Sequence, residues 1–95
     1  MHIHEFQNLM RRLYFRRDSE RGALGTYEWL TDEVEELGDA LKVNDKKGME
    51  EEFADVIAWL ASLANVLNID LEKETLTKYD NRCPKCRRAP CRCTS

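Results

Sequence analysis

Apolar residues recur along this chain in steps of three and four, and no run shows the strict alternation of a half-buried strand. Phe6, Leu9, Met10 and Leu13 form the first run and predict a helix over about 4–19. Gly22 and Gly25 then interrupt the pattern. A second run, Tyr27, Leu30, Val34, Leu37 and Leu41, follows Thr26, whose hydroxyl suits an N-cap. A third, over about 49–67, carries Phe53, Val56, Leu60, Leu63 and Leu67, widened by Ile57 and Ala64. Only the polar stretch 44–48 separates these two helices, so they are expected to pack antiparallel through their apolar stripes. A fourth helix is expected from an Asp70 N-cap to about Arg82, with Glu72 and Glu74 near its positive end and Pro84 stopping it. The pattern defines an all-α fold: an antiparallel helical hairpin with two flanking helices, resembling a four-helix bundle.

Length and charge sharpen this picture. A chain of 95 residues makes one domain with a small core, and is expected to need a partner subunit or a metal to be stable. Its longest uncharged stretch, 56–69, contains Ser62, Asn65 and Asn68 and is too short and polar to span a membrane. The N-terminus lacks the basic-then-apolar order of a secretory signal, so a cytoplasmic protein with no membrane partner is expected. Of the net charge of −3, the tail from Arg82 onward carries +5 and the body before it −8. Such a body does not look like a nucleic-acid surface and suits cations, or is simply solvated. All four cysteines, Cys83, Cys86, Cys91 and Cys93, sit in the basic tail, a clustering that fits a metal knot better than a disulfide framework.

Candidate chemistry lies one position before the core stripes. Trp29, Glu33 and Glu36 precede Leu30, Val34 and Leu37; Glu52, Asp55 and Trp59 precede Phe53, Val56 and Leu60. One residue is about 100° of rotation on a helix, so each set forms a stripe flanking its core face. Antiparallel packing can bring the stripes together at one edge, placing Glu33, Glu36, Glu52 and Asp55 close to one another. Like charges so placed repel, and a divalent cation removes the conflict. An all-oxygen donor set suits Mg²⁺ or Mn²⁺. The only histidines, His2 and His4, are terminal, which disfavours a di-iron bundle with its Glu-x-x-His motifs. A solvated acidic face is the plainer explanation for many of the eighteen acids, Asp32, Glu35, Glu50 and Glu51 among them.

Glu33-x-x-Glu36, fifteen intervening residues and Glu52-x-x-Asp55 together resemble the metal-binding signature of the MazG-like nucleotide pyrophosphohydrolases. The surrounding WLTDEVEELGDAL (29–41) and EEFADVIAWLASLANVLNID (51–70) are similar to the family too, and LTKYDNR (76–82) resembles its distal Lys-x-x-x-Arg element. The resemblance covers most of 1–82 and implies an all-α hydrolase that splits a nucleoside triphosphate, ribo or deoxy, into monophosphate and pyrophosphate. It implies that Glu33, Glu36, Glu52 and Asp55 hold Mg²⁺, with Mn²⁺ as substitute, and that Lys78 and Arg82 contact phosphates. It further implies a homodimer or homotetramer with sites near subunit interfaces.

Other positions carry two readings each. Lys78 and Arg82, four apart, would share a face of the fourth helix, or be ordinary surface charge. Trp29 and Trp59 can border a pocket and stack on a base, or simply pack at an interface. Tyr79 and Asn81 are weaker pocket candidates, and Arg11, Arg12, Arg16 and Arg17 can steer a polyanion or be a solvated face. The tail, 83–95, departs from the family pattern. Cys83-x-x-Cys86 and Cys91-x-Cys93 can hold a structural Zn²⁺, with His2 or His4 as substitute ligands, or form a reduced, oxidised or redox-sensing tail. The competing function is a helical interaction module whose zinc-knuckle tail binds nucleic acid or protein; a third is a bundle that binds nucleotides without turnover.

Overall fold

A computed structural model of the chain describes residues 1–94; Ser95, the last residue of the expected tail, lies outside the described residues. Three helices follow in order, α1 (Ile3–Lys42), α2 (Lys46–Val66) and α3 (Leu71–Lys78), with no strand among the described residues. The first two expected helices are therefore joined. They meet at one non-helical residue, Gly22, whose φ of 83° and ψ of 171° lie in a region essentially restricted to glycine. The expected break across Gly22 and Gly25 shrinks to that point, because Gly25 stays helical. A Cβ on Gly25 would lie 2.8 Å from Cγ of Arg21, so this glycine leaves room for the Arg21 side chain.

Thr26 is not an N-cap. It lies inside the second arm of α1, is 0% exposed, and its hydroxyl donates to the Gly22 carbonyl at 2.8 Å. That bond ties the first turn of the second arm to the kink residue. Arg21 donates to Asp18 at 2.9 Å and to the Thr26 hydroxyl at 3.4 Å, so one guanidinium spans the break. The caps of α2 and α3 follow one recipe. Asn44 and Asn68 take the left-handed conformation, which asparagine tolerates, and turn the chain out of the preceding helix. Asp45 and Asp70 then accept the amides of Gly48 and Lys73, each at 3.0 Å.

The helix faces differ from the expected stripes. Tyr27, Val34 and Leu41 on α1, and Phe53, Leu60 and Leu67 on α2, are exposed; Val34 is 49% and Phe53 63% exposed. Between α1 and α2 lie Ala40, Ala61 and Ala64, with Met10 from the first arm, while Leu30, Leu37, Val56 and Leu63 are half-buried. Small residues let the helices approach closely, and more than half of the large apolar stripe residues lie exposed.

The first arm is fastened by a polar latch. The Gln7 amide donates to Asn65 Oδ1 (3.0 Å) and to the Ile69 carbonyl (2.8 Å); Asn65 Nδ2 donates to the Gln7 carbonyl (3.1 Å), and Leu71 N–H to Gln7 Oε1 (3.0 Å). Every partner is used, so this buried pair fixes register without an orphaned group. His4 Nδ1 lies 2.8 Å from Glu72 and ties α3 to the N-terminus of α1; this hydrogen bond holds the Glu72 carboxyl below its usual range. The fourth expected helix ends at Lys78, not Arg82. Asn81 is left-handed, and Pro84 disfavours helical backbone at Cys83. Among the described residues, no single helix is long and apolar enough to cross a membrane.

Candidate metal centre

The short Val43–Asp45 connection returns α2 along the second arm of α1, which brings Glu33 and Glu36 opposite Glu52. One carboxylate oxygen from each of the three lies within 4.8 Å of the others. Glu33 and Glu52 are half-buried, and Oε2 of each is shielded from solvent with no hydrogen-bond partner. Both occupy the seam between the helices, not its rim. Part of each expected core stripe faces outward, and of the residues one step before them Glu33, Glu52 and Trp59 are half-buried while Trp29, Glu36 and Asp55 are exposed.

Electrostatics record the crowding. Loss of water pushes the Glu33 pKa from an ordinary 4.5 up to about 7, helped by the nearby carboxylates of Glu52, Glu36 and Asp55. Glu36 is raised chiefly by the charge of Glu52. Folding therefore strengthens proton binding at Glu33. Its stability contribution is fully present below pH 4.5 and is lost as pH rises to about 7. A cation must displace that proton, so stabilisation by Mg²⁺ should grow over the same window. Thermal unfolding with chelator and with Mg²⁺, from pH 5 to 8, measures both trends; Glu52→Gln should flatten them.

Asp55 is not part of the triad. It is exposed and lines a neighbouring cavity of about 280 Å³ with Met10, Arg17, Asp18, Arg21, Trp59 and others. Asp18 is 2% exposed; its Oδ1 accepts from Arg21, while its Oδ2 has no partner. Trp29 and Trp59 stack on each other, ring centroids 5.4 Å apart and planes 7° from parallel, and Arg21 lies over Trp59 at 4.8 Å. Sequence reading missed Asp18 and Arg21: a single acid before a glycine gives no signal until the kink is seen. Of the four N-terminal arginines singled out from sequence, Arg17 borders this cavity, Arg11 lies over Phe15 and Arg16 pairs with Glu20.

Lys78 and Arg82 do not share a helix face, because α3 ends between them. With Thr77, Asp80 and Arg87 they line a separate cleft away from the acids. Tyr79 is exposed, with Lys78 Nζ 5.9 Å from its ring, and Asn81 reaches only Asp80. His4 is held by Glu72 and stacks on His2, so neither histidine joins the cysteines.

A helical hairpin with half-buried carboxylates facing across its seam is an all-α fold whose acids could hold a metal ion. The family model of the MazG nucleotide pyrophosphohydrolase domain matches residues 21–87, well over half of the chain, and the chain belongs to that family. A search of curated proteins finds no match. The matched segment contains the Gly22 kink, both arms of the acidic site and α3, but not the first arm of α1.

Proposed function

We propose that the protein is a Mg²⁺-dependent nucleoside triphosphate pyrophosphohydrolase that converts ribo- or deoxyribonucleoside triphosphates to monophosphate and pyrophosphate and so clears unwanted nucleotides. The observation that carries this reading is the pair of solvent-shielded, unpartnered oxygens on Glu33 and Glu52 with Glu36 beside them. Ionised carboxylates in that position destabilise the fold unless a cation joins them, and above about pH 7 the proton on Glu33 no longer serves instead. Glu33, Glu36 and Glu52 would hold Mg²⁺, or Mn²⁺ in its place, with Asp55 at the edge of the set. The ion neutralises phosphate charge and lowers the pKa of the attacking water.

The nucleoside is assigned to the side of the acids where Asp55 opens into the cavity containing Arg17, Arg21 and Trp59. Cations and an aromatic face suit a polyanion with a base; the cavity on the other side, lined by Asp39, Asp45 and Glu51, would repel it. The unpartnered Oδ2 of Asp18 can accept a hydrogen bond from a base. Lys78 and Arg82 stand clear of the acids in their own chain, so they serve the phosphates from a second copy. The exposed apolar faces of α1 and α2 supply the surface for a homodimer or homotetramer. The catalytic unit is assigned to 1–82, with 83–95 as an appendage.

Pyrophosphate release from a panel of nucleoside triphosphates, with Mg²⁺ and with chelator, tests the reaction. Metal-dependent appearance of monophosphate and pyrophosphate is expected. Release of single phosphates, or no turnover on any substrate, would overturn the proposal.

A further inference from the structure

The segment 83–94 has neither helix nor strand, and apart from the half-buried Cys83 and Cys86 every residue in it is exposed. Ordering each residue costs about 1–2 kcal/mol of backbone entropy, and no apolar burial offsets that here. Yet the segment adopts a defined knuckle. Arg87 N–H donates to the Cys83 carbonyl (2.8 Å) and Cys83 N–H to the Arg88 carbonyl (3.1 Å), with Arg87 left-handed at φ 61°. The Arg92 amide donates to Cys86 Sγ and the Cys93 amide to Cys91 Sγ, each at 3.3 Å.

These turns aim all four sulfurs at one point. The four Sγ atoms lie within 4.8 Å of one another, with Cys83 to Cys93 at 3.7 Å and Cys86 to Cys91 at 3.9 Å. All four cysteines are free. A tetrahedral zinc with Zn–S bonds of about 2.3 Å holds its sulfurs ~3.8 Å apart. We infer that Cys83, Cys86, Cys91 and Cys93 bind one structural Zn²⁺, independent of the carboxylate site and closed to substrate.

Charge supports the assignment. Zn²⁺ with four thiolates carries a net −2, and the segment around it holds Lys85, Arg87, Arg88 and Arg92 and no acid. The Arg92 amide at Cys86 Sγ favours negative charge on that sulfur. A metal here would anchor the backbone next to Arg82, and with it the cationic cleft that Arg82 and Arg87 share with Lys78.

The test uses the full chain, reduced. Zinc measured after denaturation should approach one per chain. Co²⁺ added to the metal-stripped protein should give the intense tetrahedral ligand-field and sulfur-to-cobalt charge-transfer bands, bleached by equimolar Zn²⁺. Cys83→Ser with Cys86→Ser should lose these bands while the helical circular dichroism of α1–α3 is retained. Three results would overturn the inference: cobalt bound with only weak, oxygen-type bands, zinc retained by the double variant, or iron as the native metal. Because the readouts involve only the thiolates, they stand or fall separately from pyrophosphate release.

Discussion

Glu52→Gln should lower metal-dependent pyrophosphate release by roughly 10²–10³-fold, the scale of removing one electrostatic stabiliser from an active site. The same substitution should make the metal-free protein more resistant to heat at pH 8. The two effects have one cause. Glu52 faces Glu33 and Glu36, and its charge is the largest contribution to the raised pKa of Glu36. Glutamine keeps the shape, removes the repulsion and takes a ligand from the metal. The stabilisation that wild type gains from Mg²⁺ should shrink accordingly. Melting curves with and without Mg²⁺, beside initial rates, measure both halves. Near-normal turnover would remove Glu52 from the site, and a lower metal-free melting temperature would mean that its role is packing.

Phe53→Glu should break self-association. Phe53, Ile57 and Leu60 follow one another in steps of four and three on the open face of α2, while Tyr27, Val34 and Leu41 recur every seven residues on the second arm of α1. Such seams pack against another helix pair. Burying a phenylalanine contributes about 1.5–3 kcal/mol, and a symmetric interface counts it twice, so its loss alone weakens a dimer by roughly 10²–10⁴-fold. Light scattering should show the dimer or tetramer proposed for the parent, and a monomer for the variant. Hydrolysis should fall too, since Lys78 and Arg82 are assigned to a neighbouring copy. An unchanged mass for the variant would place the interface elsewhere.

The history of these two faces shows what a single sequence discloses. Steps of three and four identified the hairpin and its apolar stripes, and the matched offset picked out Glu33, Glu36, Glu52 and Asp55, of which the fold brings the first three together. Periodicity reports that a face is apolar without reporting what covers it. Tyr27, Val34 and Leu41, with Phe53, Leu60 and Leu67, read as intramolecular core but are exposed in the isolated chain, whose seam holds alanines, half-buried leucines and valine, and acids. Val34→Ala therefore probes the face open to a partner, not the core of one chain. Thr26 looked like a cap because its hydroxyl suits one, but the chain breaks four residues earlier. Lys78 and Arg82 matched a helical spacing that Asn81 and Pro84 do not permit. The latch of Gln7 and Asn65 had no local signal, because its partners lie 58 residues apart.

The stacked indoles of Trp29 and Trp59 give the hairpin an optical signature. Two nearly parallel rings 5.4 Å apart couple their electronic transitions, so their far-ultraviolet circular dichroism should be a paired positive and negative band unlike that of separate tryptophans. One ring rides on each helix, Trp29 about one turn from Glu33 and Trp59 about two turns from Glu52. Any event that slides or parts the helices there, whether loss of a cation or entry of a nucleotide, will alter the couplet. The protein thus carries an unlabelled reporter of its own site, and abolishing the signal requires changing only one of the two rings.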